Sequence, residues 1–343
     1  MTSVEHIEAL TKHAERLLNV VNGEEEEDGG QEDVADTLES FRKVSSMMTA
    51  ACDLDVALLT VKSIIYKVVT SVREGGDLDK ARLRVLVTLL ILHRDLDTRG
   101  LNELTREVME TLVKCQLAPG IWLQLVTSLG DEIFLRHSGL VTSHHHMATL
   151  QAGLMSEDNI VRKRAMYLMK RTVDTLTSDS SALEDKSQYV LGPCSSKSDV
   201  QNNFESYSLI METLEEKQVH LVRQIIPKVI SLLSLSLKSE QSFHFSWILV
   251  LFFRLFKHPN IEIVRWGVST FLTAKFQESI LSDENFLSFL CNPVLEVLNE
   301  TKLYTQNTED TDEKSFDRTT SDQISNFLLS LGEVSPKTRT LIL

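Results

Sequence analysis

Two separated segments of the chain share one internal pattern, and that sharing limits the fold more than any single motif does. They are NIVRKRAMYLMKR (Asn159–Arg171) and IEIVRWGVSTFLTAK (Ile261–Lys275). Each places Val-Arg in its opening turn, with the arginine at Arg162 in one and Arg265 in the other. A compact residue follows three positions later (Ala165, Val268), and a larger apolar residue follows six positions later (Leu168, Phe271). Each begins after a polar break, at Ser156–Asn159 and at Pro259–Asn260. Apolar residues three and four apart mark one face of a helix. Two helices that open alike point to a chain built from related helical units.

LDKARLRVLVTLL (Leu78–Leu90) is a weaker third copy. Such openings are typical of the second helix of a HEAT or armadillo pair. The spacings between copies are not multiples of one period. The position six before the arginine, where HEAT repeats usually carry an aspartate, holds Ser156 and Pro259. The repeats are therefore read as irregular. Only 13 Gly and 6 Pro occur in 343 residues, too few for a strand-rich chain with its many turns. The pattern predicts an all-α fold, a HEAT/armadillo-like α-solenoid of antiparallel helix pairs. Its expected organisation is an N-terminal helix (1–22), an acidic flexible loop (23–33) and helical repeats (34–177). A Ser/Asp-rich loop (178–203), further repeats (204–303), an acidic disordered linker (304–320) and a short helix with an apolar end (321–343) follow.

The formal net charge is −14, which argues against a general polyanion binder but leaves room for a local basic patch. Cys52, Cys115, Cys194 and Cys291 form no CxxC pair, so the spacing predicts neither a disulfide framework nor a zinc site and favours a reducing compartment. WILVLFFRLF and LRVLVTLLIL are each about half the length a membrane span needs, and read as buried helices. With no secretory signal in the opening residues, the expected location is intracellular, cytoplasmic or nuclear. No GxGxxG, Walker loop, HExxH or GxSxG occurs, so the sequence marks out no catalytic residue, no cofactor-binding residue and no metal ligand.

The segment EDNIVRKRAMYLMKRTVD (Glu157–Asp174) carries five basic residues within ten positions. With side chains about 100° apart, Val161, Ala165, Leu168, Met169, Val173 and Leu176 share one buried arc. Arg162 falls inside that arc and reads as structural, as does Arg265 in the matching segment, because an unpaired buried charge is too costly. Lys163 and Lys170 lie on one flank, Arg164 and Arg171 on the next, with Tyr167 between them. Four cations around one aromatic suit phosphate contacts with stacking. The plainer reading is an ordinary solvated helix face, weighted further by Asp174 in the same arc. His144 to His146 invite a metal reading, but consecutive side chains diverge on any regular backbone. Trp122, Trp247 and Trp266 read as core or inter-repeat packing.

The strings NIVRKRAMYLMKRTVD, SLIMETLEEKQVHLVRQIIPKV and SWILVLFFRLFKHPNIEIVRWGVSTFL resemble, in their order and joint presence, the helical-repeat region of the TAR-RNA-binding-protein type of eukaryotic tRNA ribose methyltransferase. The resemblance is best from Met155 to Leu298. It implies a long α-solenoid joined, in family members, to a C-terminal SPOUT domain that uses S-adenosylmethionine to methylate the 2′-hydroxyl of a D-loop guanosine in tRNA. This chain has no α/β pattern matching that domain, so no catalytic or cofactor residue is carried over, and the chain is read as a segment ending within the solenoid. The resemblance implies a non-catalytic scaffold whose partners are tRNA and the remainder of a full-length methyltransferase, with Lys163, Arg164, Tyr167, Lys170 and Arg171 as the RNA contact. The alternative from a different class is a protein–protein adaptor solenoid with no RNA role, which the acidic balance favours.

Overall fold

The computed structural model describes residues 5, 8–9, 12–16, 19, 36, 38–43, 54–97, 103–129, 144–178, 192, 197–216, 219–238, 243–301 and 322–331. Among these residues the regular elements are all helical, with no strand. The acidic loop 23–33, the acidic linker 304–320, most of the Ser/Asp-rich span 178–203 and the end beyond 331 lie outside the described residues. The chain divides into two compact units, Met1–Thr175 and Leu176–Leu343.

The first unit contains helical turns at 12–16 and 38–43, then α1 (Leu54–Arg73), α2 (Lys80–Leu96), α3 (Glu103–Lys114), α4 (Pro119–Ser128), α5 (His144–Met155) and all but the last three residues of α6 (Asn159–Ser178). α1 is rich in β-branched residues, which are poor helix formers. Packing overrides that preference, because Ala57, Val61, Ile64, Ile65, Val68, Val69 and Val72 form one buried stripe. α2 starts at Asp79, whose side chain accepts from the Arg82 N–H at 2.8 Å, satisfying an otherwise unpaired donor. α4 starts at Pro119, where a missing N–H costs nothing. α1 packs against α2 and α3, α2 against α4, and α4 against α5. The Tyr66 hydroxyl on α1 donates to Glu107 on α3 at 2.7 Å. This bond helps push the Tyr66 pKa up to about 12, after burial, the larger cause.

The second unit contains α7 (Lys197–Thr213), α8 (Val219–Ser236), α9 (Phe245–Phe256), α10 (Ile261–Thr273), α11 (Glu278–Leu281), α12 (Glu284–Phe289), a π-helical turn (Leu290–Val294), α13 (Leu295–Thr301) and α14 (322–331). α9 is buried almost all round, with Phe245, Trp247, Ile248, Leu249, Val250, Leu251, Phe252, Leu255 and Phe256 in the core. Among the described residues no helix is long and apolar enough to cross a membrane. Phe271 of α10 is the hub of an aromatic cluster, with ring centroids 5.1 Å from Phe252, 5.2 Å from Phe276, 5.7 Å from Phe289 and 5.9 Å from Phe327.

Ion pairs tie this unit's surface together. Arg254 meets Glu215 at 2.8 Å, Arg223 meets Glu262 at 2.8 Å, and Lys257 meets Glu296 at 2.8 Å. All three join residues 39 apart in sequence.

The structure departs from the sequence reading in three places. α7 begins at Lys197, inside the span expected to be loop. NFLSFLCNPVLEVLNE reads as one helix but is interrupted by the π turn at Leu290–Val294, which holds Pro293. Proline has no N–H for the i−4 bond, and a wider turn accommodates it. The short helix α11 between α10 and α12 has no apolar period long enough to be seen in advance.

Candidate nucleic-acid interface

α5 and α6 meet at a tight junction, Ser156–Asp158, that sets where the basic residues point. Ser156 N–H bonds back to Gly153 O at 3.2 Å, closing α5. Asp158 Oδ1 accepts from the Ile160 N–H at 2.8 Å and opens α6. Arg162 reaches back over this junction, and its Nη1 donates to Ser156 O at 2.9 Å and Glu157 O at 2.7 Å. A guanidinium at the C-terminal end of α5 meets carbonyls that have no partner within the helix and the negative end of its dipole. Ser156 stands where the HEAT aspartate is expected, and it is its backbone carbonyl that receives the arginine. Arg82 does the same on α2, donating from Nη1 to Asp77 O at 3.0 Å. On α10, Arg265 is half-buried, and the helix start is capped by Asn260, whose side chain accepts from the Glu262 N–H at 2.9 Å.

The inner side of α6 is closely packed. Ala165, Leu168, Met169 and Val173 are buried, while Val161 is half-buried at the rim. A Cβ on Gly153 of α5 would sit 2.9 Å from the Ala165 Cβ and 2.6 Å from Leu123 Cδ1 of α4, so only glycine lets the three helices meet there. A buried polar chain crosses the same three helices. Trp122 Nε1–H donates to His146 Nδ1 at 3.3 Å, and His146 Nε2 lies 3.3 Å from the Thr172 hydroxyl. Tryptophan is only a donor, so Nδ1 must accept and the ring proton sits on Nε2, directed at Thr172. His146 is fully buried, and desolvation pushes its pKa down to about 3, so the ring is neutral. His145 instead sets its ring edge-on to Trp122, with centroids 5.1 Å apart, and His144 is exposed. The three histidines thus have three different surroundings. Among the described residues no group of three or more His, Cys, Asp or Glu could hold a metal ion. Trp122 and Trp247 are fully buried, and Trp266 is half-buried.

The outer side of α6 carries the cations. Lys163 and Lys170 are exposed, and Arg164 and Arg171 are half-exposed. Tyr167 lies between the two pairs with 47% of its surface accessible. Asp174 is also exposed and closes the face at its C-terminal end. The buried polar chain and Gly153 were not singled out by sequence reasoning. Thr172 looks like any polar residue until its partner, on another helix, is known. The lone glycine in LQAGLM was the available signal, since a glycine inside a helical pattern often marks a close approach.

No model of a known protein family matches the chain, and no solved structure matches it. Over 168 residues, 46% of the chain, it is 30% identical to a Mus musculus protein, tRNA (guanosine(18)-2′-O)-methyltransferase TARBP1. The matched stretch spans only 11% of the mouse protein's length. Through about half of its residues, then, the chain is similar to a short part of a tRNA ribose methyltransferase.

Proposed function

We propose that this chain is a non-catalytic helical-repeat scaffold of a tRNA 2′-O-ribose methyltransferase and contributes to tRNA binding through α6. The observation that carries the reading is a face of two lysines and two arginines around an exposed tyrosine, in a chain of net charge −14 that is similar to a tRNA methyltransferase. In this reading S-adenosylmethionine binds elsewhere, on a catalytic SPOUT domain, and the partners of these helices are tRNA and the rest of the enzyme inside the cell.

The solenoid part of the proposal is supported by packing order and period. α1 with α3, and α2 with α4, stack as successive first and second helices of pairs would. Glu215–Arg254, Arg223–Glu262 and Lys257–Glu296 link residues 39 apart, and Tyr66–Glu107 links residues 41 apart. Those separations lie close to the HEAT and armadillo period of about 40–47 residues.

Reversing Lys163, Arg164, Lys170 and Arg171 to glutamate tests the proposal. The expected result is weaker tRNA binding and a salt dependence shallower by up to about four phosphate contacts. Unchanged affinity and an unchanged salt slope would remove RNA binding from α6. The acidic balance favours a second reading, an adaptor for protein partners with no RNA role, in which pull-down of those partners survives nuclease treatment.

A further inference from the structure

The outer face of α6 has an internal layout that bears on which form of RNA it fits. Residues seven apart return to nearly the same bearing on a helix. Ile160 and Tyr167 are such a pair, and both are open to solvent, at 60% and 47%. They form an apolar ridge along the middle of the face. Lys163 and Lys170 run along one side of the ridge, Arg164 and Arg171 along the other. The cations extend over eight residue steps, about 12 Å of helix. Beyond them the sign of charge changes, with Glu157 and Asp158 exposed before the face and Asp174 exposed after it.

A duplex presents phosphates outward and keeps its bases stacked inside, so a central aromatic ridge would gain nothing from it and would hold the backbone off the cations. An unpaired strand presents both groups. A base can lie on Tyr167 or against Ile160 while the phosphates before and after it fall on the lysine side and the arginine side. The carboxylates at both ends repel a longer phosphate track, which keeps the contact to a few nucleotides.

We propose that the ridge-and-flank face of α6 binds a short stretch of unpaired RNA in preference to duplex, with Tyr167 as its stacking platform. This rests on the reading of α6 as an RNA contact and names the form of RNA it takes.

The test uses the full chain, an unstructured single-stranded RNA of about 12 nucleotides, and a blunt duplex containing the same strand, each titrated across a salt series. The single strand is expected to bind more tightly, with a log–log salt slope no steeper than about −3, as four contacts to a single strand give. Tyr167→Ala is expected to weaken single-strand binding about tenfold and leave duplex binding unchanged, while Tyr167→Phe keeps the affinity. Equal affinity for the two forms, or an equal loss on both with Tyr167→Ala, overturns the proposal. The fourfold charge reversal separates this failure from that of the broader reading. If the reversal abolishes binding to both forms while the forms bind equally well to the original chain, α6 remains an RNA contact and only the preference for unpaired RNA falls. If single-strand binding survives the reversal, α6 is not the contact and both readings fall.

Discussion

The openings of α6 and α10 are alike, with Asp158 accepting from the Ile160 N–H in one and Asn260 from the Glu262 N–H in the other, and Arg162 in α6 also donates to the carbonyls of Ser156 and Glu157. The inner sides differ. α6 presents Thr172 to a neutral histidine that is itself held by Trp122. α10 presents Phe271 to a ring of other phenylalanines. The outer offsets differ most. Where α6 carries Lys163, Arg164, Tyr167, Lys170 and Arg171, α10 carries Trp266, Gly267, Thr270, Thr273 and Ala274, with no charge at any of the five. Gly267 is buried against Leu255, so part of the matching face of α10 is packed rather than open. The shared pattern specifies how a helix opens. What it shows to its neighbours and to solvent is set separately.

The comparison can be broken first at its most buried residue. Phe271→Ala removes a side chain with no accessible surface from the middle of the aromatic cluster and is expected to cost about 3–5 kcal/mol in chemical denaturation. A loss under about 1 kcal/mol would mean that the cluster repacks and that α10 is not fastened through it.

The two glycines give a sharper contrast. Gly153→Ala forces a Cβ to within 2.9 Å of Ala165 and 2.6 Å of Leu123, and overpacking of this kind costs about 1–3 kcal/mol. Gly267→Ala meets only Leu255, at 3.1 Å, and gains up to about 1 kcal/mol of helix propensity in compensation. Thermal unfolding of the two variants should therefore separate them. Equal shifts would show that the α4–α5–α6 junction is no tighter than the α9–α10 contact.

The smallest effect at neutral pH is expected from His146→Gln, which keeps an acceptor for Trp122. Its signature is the pH profile. The folded-state pKa of His146 is pushed down to about 3 from an ordinary 6.5, so between those values the unfolded chain binds the extra proton. Stability from this group is present above pH 6.5 and is lost as pH falls towards 3. His93 and His145 are shifted in the same direction by burial, so the difference between the original chain and the variant isolates His146. Parallel pH profiles for the two would remove the neutral, buried histidine from the account.

Much of the helical order was legible because apolar spacing repeats within each helix. α6 and α10 begin where their shared segments do, at Asn159 and Ile261, each after its polar break. The inner stripe of α6 was legible for the same reason, through Ala165, Leu168, Met169 and Val173. Thr172, although fully buried, was not, because its burial depends on a hydrogen bond from another helix. The break at Leu290–Val294 was hidden by its own success. Phe289 and Val294 are both buried although five residues apart, a gap that a π turn absorbs and an α-helix does not. For the outer face of α6, the sequence yields which residues share a bearing, and the structure adds how open each one is.

The ion pairs at a constant separation of 39 residues bear on how a chain of this kind can change length. Residues one stride apart face each other in this unit, so a block of that size can be inserted or lost without turning the helices on either side. Losing one or two residues within a helix turns everything beyond by about 100° per residue and carries Arg254 or Lys257 away from its carboxylate. Small length changes are confined to the connections, and the helices themselves change in whole strides.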